Sequence, residues 1–85
     1  KINLNEEQTY ALIDTEATLS VVNPLYCKVP IPQSEKTIQM VDITNTPMSV
    51  YKSKPIVLQL GPLQGTHVFL LVPSASIHLI GKAFL

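Results

Sequence analysis

The stretch that decides the fold is Ala11–Val22, ALIDTEATLSVV. A short apolar run ends on Asp14. Thr15 and a second acid, Glu16, follow, and then the chain turns apolar again toward Val21 and Val22. Two carboxylates two positions apart, between segments patterned for burial, have two explanations. They form a polar turn that happens to be acidic, or a loop that presents a carboxylate for chemistry. The β-type patterning on both sides places Asp14 at the end of a strand.

Outward from this stretch, helical periodicity is almost absent and short apolar runs alternate with Pro, Gly and Asn. KINLN alternates Ile2 and Leu4 with polar residues, and the Glu6-Glu7 pair serves as a turn into QTYALID, giving a first hairpin. TLSVVN is a third strand, stopped at Asn23-Pro24. PLYCKVPIPQSEK, with three of the seven prolines, reads as an irregular connection. Two strands, Thr37–Val41 and Met48–Lys52, flank a turn at DITNTP, where Asn45 and Pro47 supply the turn chemistry. KPIVLQLG is a strand with Ile56, Leu58 and Leu60 on one face. THVFLLVP is a more continuously apolar strand, expected to be covered on both sides. IHLIG is the last strand, and KAFL is expected to start a short helix. The sum is one all-β domain over residues 1–85, with roughly seven or eight strands. ALID and HLIG echo each other, each an apolar strand ending on a special residue.

Composition narrows the function. The 85 residues suit one small domain whose core is marginal at this size. Apolar residues make up 46% and charged residues 14%, which leaves apolar surface for a partner, a second copy of the chain, or the missing neighbours of an excised fragment. Six lysines and no arginine balance six acids, so there is no electrostatic footprint for nucleic acid or for an anionic membrane. No apolar run approaches the ~20 residues that span a bilayer. The single Cys27 cannot form an internal disulfide, and no signal peptide is visible, which together favour an intracellular setting.

Most familiar chemistries lack their residues. His67 and His78 lie on apolar segments and read as satisfied structural histidines; with one cysteine and scattered acids they make no metal set, and no cofactor is implied. Cys27 has no histidine near it in sequence and reads as a structural thiol. The three glycines are isolated, so no phosphate loop exists, and Ser20 and Ser74 lack a nucleophile-elbow context.

Asp14 stands apart. LIDTEATLSVV resembles the active-site loop of the retroviral aspartic proteases, the retropepsins, whose pattern is Asp-Thr/Ser-Gly-Ala. HLIGKAFL resembles the family's second signature, apolar-apolar-Gly-Arg-Asp/Asn-apolar-Leu. VDITNTPMSV occupies the place of the flap hairpin, and THVFLLVPSASIHLIG resembles the approach to the closing signature in gammaretrovirus-like proteases, including endogenous retroviral ones. The resemblance covers nearly the whole chain. It implies a small closed β-barrel with a flap hairpin and one short C-terminal helix. It also implies a homodimer, formed through the active-site loop and the termini, in which two aspartates share a proton. One activates water while the other protonates the scissile carbonyl of a peptide bound as an added strand. Asp14 is then the dyad carboxylate, Thr15 the loop brace and Ala17 part of the pocket floor. Asp42, Ile43, Thr44 and Asn45 belong to the flap that covers the peptide.

The departures fall on functional positions. Glu16 replaces the motif glycine and puts a charged side chain beside the dyad, doubled by twofold symmetry. Asp42 and Asn45 stand where related flaps carry glycine. Thr18 stands where many relatives carry an acid that pairs with the signature arginine, and that signature reads Gly81-Lys82-Ala83 here. The chain also ends before the terminal strand that helps make the family's dimer sheet, which suggests a domain excised from a larger polypeptide. The expectation is a retroelement-derived pseudoprotease that keeps the scaffold and serves as a structural or interaction module. The alternative is an active homodimeric aspartic endopeptidase that cleaves extended peptides with an Asp14 pair.

Overall fold

The computed structural model describes residues 2–41 and 44–85. Ten strands run through them: β1 (Ile2–Leu4), β2 (Glu7–Thr9), β3 (Ala11–Asp14), β4 (Val21–Val22), β5 (Gln33–Val41), β6 (Pro47–Ser53), β7 (Ile56–Leu60), β8 (Leu63–His67), β9 (Leu70–Leu71) and β10 (His78–Gly81). They form two sheets, ordered β2-β1-β7-β8 and β3-β10-β4-β9-β6-β5. Each sheet keeps two edges, so the closed barrel implied by the family resemblance is not formed.

The first hairpin exists, with its turn one residue earlier than expected. Ile2 pairs with Thr9 and Leu4 with Glu7, which makes Asn5 and Glu6 the two turn residues. Both have positive φ, 52° and 67°, as the primed turns that match strand twist require. QTYALID is split between two sheets. β2 pairs with β1 in one, while β3 pairs with β10 in the other, and the switch falls at Tyr10. THVFLLVP is divided in the same way. β8 closes against β7 and β9 joins β4 and β6, with Val68 and Phe69 crossing between sheets. Phe69 is fully buried at that crossing. Its main chain is tied to Ser53 at the end of β6, with Phe69 N donating to Ser53 Oγ at 2.9 Å and Ser53 N to Phe69 O at 2.8 Å.

TLSVVN contributes only Val21 and Val22 to the sheet. Gln33–Lys36, expected within an irregular connection, instead belongs to β5, whose pairing with β6 shifts register between Gln33 and Thr37. The β5–β6 hairpin otherwise follows the expectation, with Val41 opposite Pro47 and Met40 opposite Met48. Pro47 is tolerated as the first residue of its strand. The short C-terminal helix is absent among the described residues. Lys82–Phe84 makes a single turn, in which Phe84 N donates to Gly81 O at 3.3 Å. One turn gains too few hydrogen bonds to offset helix nucleation.

The core lies between the sheets. Ile2, Leu4, Ile56 and Leu58 come from one, Val22, Leu71 and Ile80 from the other, and Phe69 bridges them. Burying each such side chain contributes about 1.5–3 kcal/mol. The faces left outside carry Tyr10 (67% exposed), Leu12, Leu25 (75% exposed), Tyr26 and Val41, in keeping with the apolar excess of the composition.

Candidate active site

The ALID/HLIG echo has a structural meaning. β3 and β10 run parallel and in register, with His78 opposite Ala11, Ile80 opposite Ile13 and Gly81 opposite Asp14. The two sequence signatures therefore end side by side. Beyond its strand Asp14 enters a tight turn. Ala17 N donates to Asp14 O at 3.2 Å, and Glu16 N donates to Asp14 Oδ1 at 3.0 Å. The half-buried carboxylate is thus held by the amide of the residue that replaces glycine, while the Thr15 and Glu16 residues are exposed.

The closing signature clamps this loop through main chain. Lys82 N donates to Ala17 O at 2.8 Å and Ala83 N to Thr18 O at 3.3 Å. The two segments that carry the altered ion-pair positions, Thr18 and Lys82, are thus joined by peptide groups that do not depend on side-chain identity. Gly81 is buried, and a Cβ there would lie 2.6 Å from Leu19 O and 2.8 Å from Ala17 O. Only glycine allows this approach.

Thr44 and Asn45 lie at the tip of the β5–β6 hairpin, which forms the sheet edge opposite β3. Thr44 Oγ1 and Thr46 Oγ1 are 2.9 Å apart. Asn45 has φ 64°, a left-handed conformation that Asn tolerates better than most residues. It holds the left-handed conformation that a glycine would supply. Asp42 and Ile43 lie outside the described residues.

Two polar residues to which the sequence reading gave no site role, Ser20 and Asn23, organise the site from behind. Ser20, 1% exposed, accepts from Gly81 N at 3.0 Å, and its Oγ lies 2.9 Å from His67 Nε2. Its burial keeps this Ser–His pair from meeting a substrate. Asn23, also buried, donates to Pro73 O and Ala75 O at 3.0 and 2.7 Å. Its Oδ1 accepts from Leu25 N at 2.9 Å, capping the 3-10 turn Pro24–Tyr26. Asn23 N donates to His78 Nδ1 at 3.2 Å, which leaves the neutral ring's proton on Nε2. The burial of Ser20 and Asn23 within otherwise apolar surroundings was the available signal, since buried polar groups need partners.

The thiol has a histidine nearby after all, with His78 Nε2 3.9 Å from Cys27 Sγ. Burial pushes the Cys27 thiol up, and the charge of Glu7 adds to this, so the pairing does not favour a thiolate nucleophile. Among the described residues no cluster of three or more His, Cys, Asp or Glu could hold a metal ion, and no helix is long and apolar enough to cross a membrane.

Compared with models of protein families, residues 1–85 match retroviral aspartyl protease. A search of curated proteins finds no match.

Proposed function

The chain belongs to the retroviral aspartyl protease family, and from that premise we propose that it is a retropepsin-like domain with impaired catalysis, serving as a structural or interaction module of a retroelement-derived polypeptide. The observation that carries this reading is Glu16. Its amide performs the loop's hydrogen bond to Asp14, and its exposed position adds a charge where the motif glycine adds none. A twofold pair would bring four carboxylates to one axis, and their repulsion opposes association near neutral pH. The resemblance of THVFLLVPSASIHLIG to the approach to the closing signature in gammaretrovirus-like proteases supports the retroelement origin. In this reading the flap residues Thr44 and Asn45 and the pocket residue Ala17 bind an extended peptide without efficient turnover.

A second reading, an active homodimeric endopeptidase with one Asp14 from each copy, draws support from the intact main chain of the loop. Asp14 keeps its amide donor and its register opposite Gly81. In that reading Thr15 braces the paired loops and the dyad divides base and acid roles.

A peptide library incubated with the protein between about pH 4 and 7 separates the two. The proposal expects no cleavage above that of Asp14→Asn. Pepstatin-sensitive cleavage abolished by Asp14→Asn establishes the enzyme instead. Sedimentation of Glu16→Gly tests the charge argument. Association is expected to tighten by about tenfold as the repulsion is removed, with a smaller gain in catalysis. Unchanged or weaker association rules out the electrostatic role of Glu16.

A further inference from the structure

We infer that His67, acting through Ser20, is a positioning residue for the Asp14 loop, and that it holds the loop fully only as a neutral imidazole. The relay is short. His67 Nε2 lies 2.9 Å from Ser20 Oγ, and the same oxygen accepts from Gly81 N at 3.0 Å. Gly81 stands opposite Asp14 in the parallel ladder and touches the loop carbonyls of Ala17 and Leu19 so closely that no Cβ fits. Displacement of the Gly81 amide therefore displaces the loop. Ser20 is also tied down on its other side, since Leu70 N donates to Ser20 O at 3.0 Å.

The direction of the relay follows from the tautomer in which His67 Nε2 carries no proton. A serine hydroxyl has one proton to donate and two lone pairs. With Nε2 unprotonated, Ser20 donates to His67 and accepts from Gly81, so its buried hydroxyl uses both its proton and a lone pair. With the ring charged, Nε2–H becomes a donor to the oxygen that Gly81 already uses. The Ser20 hydroxyl proton then loses its acceptor in a buried site, which is costly. The ring meets Phe69 and Phe84 edge-on, with centroids 5.0 and 5.4 Å away, and Ile56 is its partner across the ladder. None of these groups, nor Ser20, carries a charge that would stabilise an imidazolium. Burial accordingly lowers the pKa of His67, with no charged neighbour adding to the shift. The relay acts on the placement of the loop whether or not an Asp14 pair cleaves peptides.

Amide resonances and hydrogen exchange of the whole protein test this, followed across the titration of the His67 ring and corrected for the intrinsic pH dependence of exchange. The expected result is that the Gly81 and Ala17 resonances move with the His67 ring titration. Gly81 should lose roughly fivefold to tenfold in protection across it, the equivalent of one weakened hydrogen bond, while β7 amides do not step. His67→Gln offers a carbonyl acceptor that does not titrate, and it should keep the neutral-pH protection while abolishing the step. Ser20→Ala should lose the protection at every pH. Gly81 and Ala17 signals indifferent to the His67 titration, or a His67→Gln protein that retains the step, overturn the inference.

Discussion

Gly81 is the residue at which fold and site meet. A side chain there would meet the main chain of the Asp14 loop, with Leu19 O at 2.6 Å and Ala17 O at 2.8 Å. Backbone cannot swing aside as a flexible side chain can, so Gly81→Ala must part β10 from the loop. We expect a loss of about 1–3 kcal/mol or more, read as a lowered midpoint in urea. A substitution cost under about 0.5 kcal/mol would mean that the contact relaxes freely. Asn45 teaches the opposite lesson. By the motif it is a departure from glycine, but its φ of 64° is one that Asn adopts at modest cost. Glu16 combines both cases, with a main chain that does what the motif requires and a side chain that the motif excludes.

At the scale of elements, short strands are held in place by side chains that replace the ladder where it ends. β4 has only two residues, and directly after it Asn23 joins three segments: the 3-10 turn, the Pro73–Ala75 turn and β10 through His78. Asn23→Ala removes both donors to the Pro73 and Ala75 carbonyls and strips Leu25 N of its acceptor. With the site buried, we expect roughly 2–4 kcal/mol of destabilisation, measured by thermal or urea unfolding. Asn23→Asp should also destabilise, because a carboxylate cannot donate to those two carbonyls. A neutral Asn23→Ala would show that the turns hold themselves.

For the whole molecule, the two histidines and Glu7 lean one way. His67 and His78 are both lowered by burial, with the Glu7 charge partly opposing the shift at His78. The Glu7 carboxylate is lowered by hydrogen bonds from Val29 and Lys28 N–H, at 2.9–3.1 Å. When a folded-state pKa lies below the unfolded value, the unfolded chain binds more protons as pH falls. The histidine contribution is therefore complete above the ordinary imidazole value of about 6.5 and is lost as pH falls through the folded values. The Glu7 contribution follows at lower pH by the same logic. We expect Tm to fall steadily from pH 7 to pH 4, and a double His67→Gln, His78→Gln variant to flatten the upper part of that curve. A Tm that rises on acidification would reverse the sign of the argument.

The sequence by itself determined the all-β class, the outer hairpins and the pairing of motifs that identifies Asp14 and Gly81. These rest on period-2 patterning, turn residues and local signatures, all readable within a few positions. It also exposed Glu16, because a charged side chain in a glycine position needs no coordinates to be noticed. Only the tertiary structure decided that QTYALID and THVFLLVP each divide between two sheets, since an apolar run looks the same whichever neighbour its main chain bonds. Likewise, only folding brings His67 to Ser20, 47 positions away, and His78 to Asn23, 55 positions away. Histidine and serine carry no local pattern that names a distant partner. The loop that carries Asp14 was legible as a motif, but what holds it became visible only when the chain closed around Ser20.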